Sequence, residues 1–349
     1  SELGRFVSED PAGDPNNPNL YSYCRNNPLK FLDPTGLYGY DASTGTISHA
    51  DGTITDTSGK TISTPPGGSS SGYYYRGGGG SISTSVTQDE AQKASEANKK
   101  NKREPWKEYD PLVFVHGYKD NWTLWADFLS EITDNDAFRA LADAYDKSKD
   151  PIAKKSIVNI VQATAKLYGI YVFDYSDSNT QNPNKIAKEF VKYLKENNIY
   201  DKTPDIIAHS MGNLVTRAAI EYNGLVVNNF AMIAPPNSGS KLARFGEGEA
   251  GDYMEPNSKE LEDLNKDKNL AKLEANVKGK IQIFTALGDI AIGNNYNIPG
   301  MNIPTKIYEA GKKPGQVPYS KNPARGGTHI NICHTITVMN DVMNFINNN

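Results

Sequence analysis

The stretch Asp205-Ile206-Ile207-Ala208-His209-Ser210-Met211-Gly212-Asn213 decides how this chain is read. Ile206 to Ala208 is a short apolar run of strand type, and it leads straight into a serine flanked by Ala208 and Gly212. A strand that turns at once into a helix brings those flanking positions against each other's backbone. Only small residues fit there, and the residue between them is left exposed at the helix N-terminus. The residues that follow support a helix: Met211, Leu214, Val215, Ala218, Ala219 and Tyr222 form one apolar stripe at i, i+3, i+4, i+7, i+8 and i+11. Ser210 therefore reads as a hydroxyl presented on a sharp turn, against the simpler alternative of an ordinary helix N-cap.

Outward from this turn, strand and helix signals alternate. Leu112 to Val115 is a buried-strand run, followed by His116-Gly117-Tyr118 and a broad helix with Trp122, Trp125, Phe128, Leu129 and Ile132 apolar. Strand 170–173, a helix carrying Ile186, Phe190 and Leu194, the Ser210 strand and helix, strand 226–234 and strand 281–286 complete the series. A last helix runs through Val338, Met339, Val342, Met343 and Ile346. Strands separated by helical patterns predict an α/β fold, a mostly parallel sheet with helices on both faces. A long insertion, residues 241–279, separates the last two of these strands.

A serine hydroxyl needs a base to take its proton. Of the five histidines, His49 lies in a Gly/Ser/Thr-rich stretch, His116 follows the first strand and His209 points away from the serine side chain. His329 and His334 remain, both between the last expected strand and the last helix. For the acid, Asp289 stands in the loop after strand 281–286, and Asp174, which precedes the serine, is the runner-up. Met211, directly after the serine at a helix N-terminus, offers a backbone N–H to an oxyanion.

Ala208-His209-Ser210-Met211-Gly212 resembles the nucleophile elbow of α/β-hydrolase lipases, in the form with Ala in the first Gly position. Two further blocks are similar to lipases: Pro235-Pro236-Asn237-Ser238-Gly239-Ser240, and the Met254-to-Asn265 segment, which resembles a lipase cap helix. The resemblance covers residues 105–349 and implies the order serine, acid, histidine. It implies Asp289 as acid and His334 as base, because in lipases the base precedes the final helix. It also implies Tyr118, after His116-Gly117, as the second oxyanion donor, with 241–279 as a helical lid. Tyr118, Trp122 and Trp125 are candidates to line an acyl pocket, although a helix on the sheet would bury tryptophans anyway. The function so implied is a serine ester hydrolase, a lipase or phospholipase meeting lipid or ester substrates at a membrane or lipid interface, with no cofactor. A small-ester esterase or acyltransferase, or a hydrolase-shaped binding module, are the alternatives.

The first 37 residues read differently. Gly4-Arg5-Phe6-Val7-Ser8-Glu9-Asp10-Pro11, Asn19-Leu20-Tyr21-Ser22-Tyr23, Asn26-Asn27-Pro28 and Asp33-Pro34-Thr35-Gly36-Leu37 occur in order. They resemble the end of the core of RHS-repeat proteins. That family encloses a C-terminal cargo, often a toxin, in a β-shell and cuts itself after the leucine of D-P-x-G-L. The resemblance implies Asp10 and Asp33 as paired carboxylates and Leu37 as the cut site in a longer parent. It implies as partners the RHS shell and an immunity protein, and export as cargo. Turn chemistry between short strands is the plainer account of the Asp-Pro and Asn-Pro pairs. Residues 38–104, dominated by Gly, Ser, Thr and Asp, are expected to form a linker.

Composition excludes some classes. A net charge of −4 and a pI near 5.8 leave no electrostatic footprint for nucleic acid. Cys24 and Cys333 lie too far apart to suggest a disulfide framework. No apolar run approaches the ~20 residues of a membrane span, so an integral membrane protein is not expected. A metal site at His329, Cys333 and His334 lacks the second cysteine pair of the usual patterns.

Overall fold

The computed structural model describes the backbone of five short strands between residues 31 and 63, and residues 101–311, 316–318 and 327–348. Asp10, Asp33 and Leu37, with the self-cleavage expected of them, lie outside the described residues. The chain divides into two compact units, Ser1–Ser83 and Thr84–Asn349.

In the first unit, β1 (Phe31–Leu32), β2 (Tyr38–Asp41), β3 (Thr46–His49), β4 (Ile54–Asp56) and β5 (Thr61–Ser63) form a five-stranded antiparallel sheet, each strand pairing with the next. Four of these strands lie inside the stretch expected to be a linker. The runs are short and rich in Thr, Ile and Tyr, and Gly45, Gly52 and Gly59 recur between them every seven residues. That is a short repeat of strand-type residues which bulk Gly/Ser/Thr content conceals.

The second unit is built on a six-stranded sheet of β6 (Leu112–Val115), β7 (Ile170–Phe173), β8 (Asp205–His209), β9 (Phe230–Ile233), β10 (Ile281–Ala286) and β11 (Thr305–Tyr308). The order across it is β11-β10-β9-β8-β6-β7, and every pair is parallel. The middle strands β6 and β9 are apolar at every position, and β8 and β10 largely so, because both faces are covered. Leu112, Phe114, Ile207, Ile233 and Phe284 pack on one side; Val113, Val115, Ile206, Ala208 and Met232 pack on the other. The edge strand β11 was not legible in the sequence. In its pattern, Thr-Lys-Ile-Tyr, the adjacent Lys306 and Ile307 point to opposite faces and both are exposed, so the covering helices leave this edge partly open on both faces.

The first face is covered by α1 (Ala126–Thr133), α2 (Ala137–Lys147), α3 (Pro151–Lys166) and the final helix, α10 (Ile336–Asn347). Trp122 and Trp125 are buried there, Trp125 edge-on to Phe114 at 5.1 Å, so they belong to the core and not to a pocket wall. On the second face lie α4 (Pro183–Glu196), α5 (Met211–Asn223) and α8 (Asp267–Asn276). The insertion between β9 and β10 carries α6 (Gly248–Met254), α7 (Lys259–Leu264) and α8, and its second half is fastened to the sheet layer. Leu261, Leu264, Leu270 and Leu273 are buried. Arg217 of α5, fully buried, donates to Glu221 at 2.8 Å, to the Asn265 side chain at 3.0 Å and to the Leu264 carbonyl at 3.2 Å.

Strand order reverses at β6: the chain goes out to β7 and returns on the other side as β8. In an open parallel sheet such a switch point opens a crevice at the carboxyl ends of the strands. Residues 116–118 and Ser210 leave the sheet at that crevice.

Candidate active site

Ser210 sits between β8 and α5 with φ 51° and ψ −126°, backbone angles that an L-residue adopts only under constraint. It makes no side-chain cap bond to the helix, so the N-cap alternative is not what the structure has. The constraint is visible at Gly212, where a Cβ would lie 2.4 Å from the His116 carbonyl and 2.7 Å from that of Val115. Ala208, fully buried, is the other small residue of the turn. The β6 loop comes equally close. A Cβ on Gly117 would lie 2.9 Å from the Ser210 Cβ.

The Ser210 Oγ lies 2.8 Å from Nε2 of His329, whose Nδ1 lies 2.7 Å from Oδ2 of Asp289. Asp289 is buried just beyond β10, after Gly288 at φ 82°. Burial pushes its carboxyl up, but His329 and the amides of Ala291 (2.9 Å) and Ile292 (3.3 Å) outweigh it. The group is held below the usual carboxylate range. Asp289 therefore stays ionised and accepts from Nδ1–H, which leaves Nε2 as the hydrogen-bond acceptor facing the Ser210 hydroxyl.

Contrary to the expectation from the sequence, the histidine on Ser210 is His329 and not His334. The Nδ1 of His334 contacts Asp127 Oδ2 at 2.8 Å, on the side of α1. A 3-10 turn, Ile332–His334, follows the segment of His329 and ends on His334, and it sends the two histidines in different directions. His329 belongs to a short helix, α9 (Thr328–Asn331), which Gly327 opens at φ 49°.

Asp174 is not in this chain of bonds. It lies 3.2 Å from Nε2 of His116 and accepts the Ser176 amide at 3.0 Å. His116 is wedged in the β6 loop, its ring stacked on Tyr175 at 4.0 Å, with the Tyr175 amide donating to Nε2 at 3.0 Å. Tyr118 follows Gly117 beside Ser210, and its hydroxyl donates to the Glu247 carbonyl at 3.0 Å. Lys119 pairs with Glu247 at 2.6 Å. The insertion thus rests on the loop that carries Tyr118. Met211 begins α5, where first-turn amides have no partner within the helix. Cys333 is buried and unpaired. Among the described residues no group of three or more His, Cys, Asp or Glu side chains is placed to hold a metal ion. None of the described helices is long and apolar enough to cross a membrane.

The strand order, the constrained turn after β8 and the position of Ser210 at the switch point define an α/β-hydrolase fold. No family profile matches the chain, and no curated protein matches it. Among solved structures, the chain is similar to phospholipase PlaB from Legionella pneumophila at 15% identity and a TM-score of 0.40, over 68% of this chain and 62% of that one. The mature form of lipase BlEst2 from Bacillus licheniformis aligns at 15% identity and a TM-score of 0.36, over 57% and 84% of the two chains. The metagenomic carboxyl esterase MGS0156 aligns at 14% and 0.37, over 69% and 76%. The chain thus spans about 62% of the length of PlaB.

Proposed function

We propose that the protein is a serine ester hydrolase in which Ser210, His329 and Asp289 form the catalytic triad. The observation that carries this reading is the unbroken chain of hydrogen bonds, 2.8 Å and 2.7 Å, from a serine on a constrained turn through a histidine to a buried, ionised carboxylate. Ser210 Oγ attacks the acyl carbonyl while His329 Nε2 takes its proton. Asp289 holds Nδ1–H and stabilises the imidazolium that forms. The backbone N–H groups of Met211 and Tyr118 bind the oxyanion. The tetrahedral intermediate expels the alcohol, which takes the proton from His329. Water then attacks the acyl-enzyme by the same route, and the acid is released.

Lipid esters are the proposed substrates. Asp289 is flanked by the exposed Leu287 and Ile290, and the insertion presents the exposed Leu242 and Phe245. The two segments are tied together, since the Ser240 hydroxyl donates to the Ala291 carbonyl at 2.5 Å. Apolar side chains gathered on adjoining loops favour an acyl chain over a polar ester. The RHS-like motifs of residues 1–37 support a role as the exported cargo of a longer protein, cut after Leu37 by Asp10 and Asp33. Purified protein assayed on p-nitrophenyl esters, triacylglycerols and phospholipids tests the activity. A fluorophosphonate adduct on Ser210, read by mass spectrometry, tests the nucleophile. Absence of both hydrolysis and adduct would refute the reading.

A further inference from the structure

The proposed mechanism gives His209 no part, and its position is unusual. It ends β8, a strand whose remaining positions, apart from Asp205, are Ile and Ala. Side chains alternate along a strand, so His209 shares the side of Ile207, the side packed by Ile332, Cys333 and Val338. That is also the side from which His329 approaches Ser210. The ring is buried, edge-on to Trp125 at 6.4 Å and 4.7 Å from the His329 ring.

Its Nε2 lies 2.8 Å from the backbone carbonyl of His329. A carbonyl only accepts, so the proton sits on Nε2. Burial, reinforced by the nearby His329, pushes the imidazole pKa well below its ordinary value, so the ring is neutral and Nδ1 is bare. Nδ1 has no hydrogen-bond partner, and a Cβ on Gly117 would come within 3.2 Å of it. A buried polar ring tolerates an unpaired nitrogen only where its other bond is worth keeping.

We infer that His209 is a positioning residue for His329: its Nε2–H, fixed on the His329 carbonyl, sets the backbone from which that imidazole reaches Ser210 and Asp289 together. The inference rests on the triad reading above. α9 is only four residues long and has few helical bonds of its own to hold His329. The residue next to the nucleophile in sequence thus anchors the base, which arrives from 120 positions away. A shift of about 1 Å at a reacting group costs on the order of 100-fold in rate.

Three variants test this with p-nitrophenyl butyrate and with a fluorophosphonate probe, which needs no knowledge of the natural substrate. His209→Phe keeps the ring and removes the donor. It should lower kcat about 100-fold with KM within about threefold, slow Ser210 labelling in parallel and leave thermal melting nearly unchanged. His209→Gln restores an N–H at a similar reach and should stay within about tenfold of the parent. Full activity in His209→Phe, or equal losses in Phe and Gln, overturns the inference. Ser210→Ala separates this from failure of the triad. If that variant still turns over ester or takes the probe, the nucleophile is wrong whatever His209 does. If it is inert while His209→Phe is fully active, only the positioning role falls. Should His209→Phe not fold, long-range 1H–15N spectra of the unmodified protein decide. They should show His209, identified by its absence in His209→Gln, as neutral with the proton on Nε2 from about pH 5 to 8. A proton on Nδ1, or titration in that range, overturns the inference.

Discussion

His329 and His334 lie five residues apart, and each rests Nδ1 on a carboxylate, at 2.7 Å on Asp289 and at 2.8 Å on Asp127. Beyond that bond the two pairs share little. Asp289 is buried, and its other oxygen is filled by two backbone amides. Asp127 is partly exposed and divided between His334 and Arg139, which also binds Glu131 and Asp136. His334 first, after it burial opposing, and then Arg139 bring the Asp127 carboxyl to about 2. A carboxylate so strongly shared is tied up in a surface network. The one on His329 serves a single imidazole, and that imidazole has a serine on its far nitrogen. An Asp–His bond alone therefore does not make a catalytic pair; what the second carboxylate oxygen and the far ring nitrogen do decides.

The comparison breaks at once if the wrong histidine is essential. Ser210→Ala and His329→Ala should each lower kcat/KM for ester hydrolysis by at least about 10⁴-fold, since members of such a unit fail together. The double variant should be no worse than either single one. Additive losses would show that the two residues do not act as a unit. Asp289→Asn should be milder, about 10³- to 10⁴-fold, because serine and base survive while the imidazole loses the acceptor that selects its tautomer. Steady-state rates on one soluble ester measure all three. An Asp289→Asn enzyme within about tenfold of the parent would remove Asp289 from the site.

Much of this arrangement is legible in the sequence because it is local. The turn around Ser210 follows from Ala208 and Gly212 with a strand before and a helix after, and the structure supplies the 2.4 Å contact that forbids a larger residue at 212. Asp289 is visible because it follows directly on β10. The histidine was not legible. Both candidates precede the same helix, and a single 3-10 turn, with no sequence signature of its own, decides which one faces the serine. The anchoring bond from His209 to His329 was equally hidden, since a side chain bonding a distant carbonyl leaves no pattern in either segment. The strands of the first unit were missed for another reason. Their residues recur with a short period, but they are too polar for an argument from hydrophobicity.

A second buried carboxylate sharpens the contrast with Asp289. Glu221 accepts from Arg217 at 2.8 Å with Oε1, yet its Oε2 is buried without a partner. Burial outweighs the attraction of Arg217 and raises the carboxyl from 4.5 to about 7. Below about pH 4.5 the group is protonated in both the folded and the unfolded chain and contributes no penalty. Between 4.5 and 7 the unfolded chain gives up a proton that the fold retains, so stability falls with rising pH, and above 7 the loss is complete. At about 1.4 kcal/mol per pH unit the contribution is about 3 kcal/mol. Glu221→Gln should flatten this slope whatever it does to absolute stability. Denaturant melts of both proteins at pH 5 and pH 8 measure it: a mutant-minus-parent difference that is the same at both values would show that Glu221 is ionised throughout.

The smallest effect belongs to the surface pair. His334 and Asp127 are each about one-third exposed, and Arg139 competes for the same carboxylate. Solvent screening and side-chain freedom leave such pairs worth about 0.2–1 kcal/mol. His334→Ala should therefore lower stability by no more than that and leave kcat and KM within about threefold. Its loss frees Asp127 for Arg139, which offsets part of the cost, so Asp127→Ala should be the more damaging of the two. Salt offers a second readout, because an exposed pair weakens as ionic strength rises and a buried one hardly responds. In about 0.5 M NaCl the stability difference between His334→Ala and the parent should shrink toward zero. A loss of hydrolysis in His334→Ala comparable to that of His329→Ala would put the base back on the final helix, and the bond from His329 to Ser210 would then belong to a resting arrangement only.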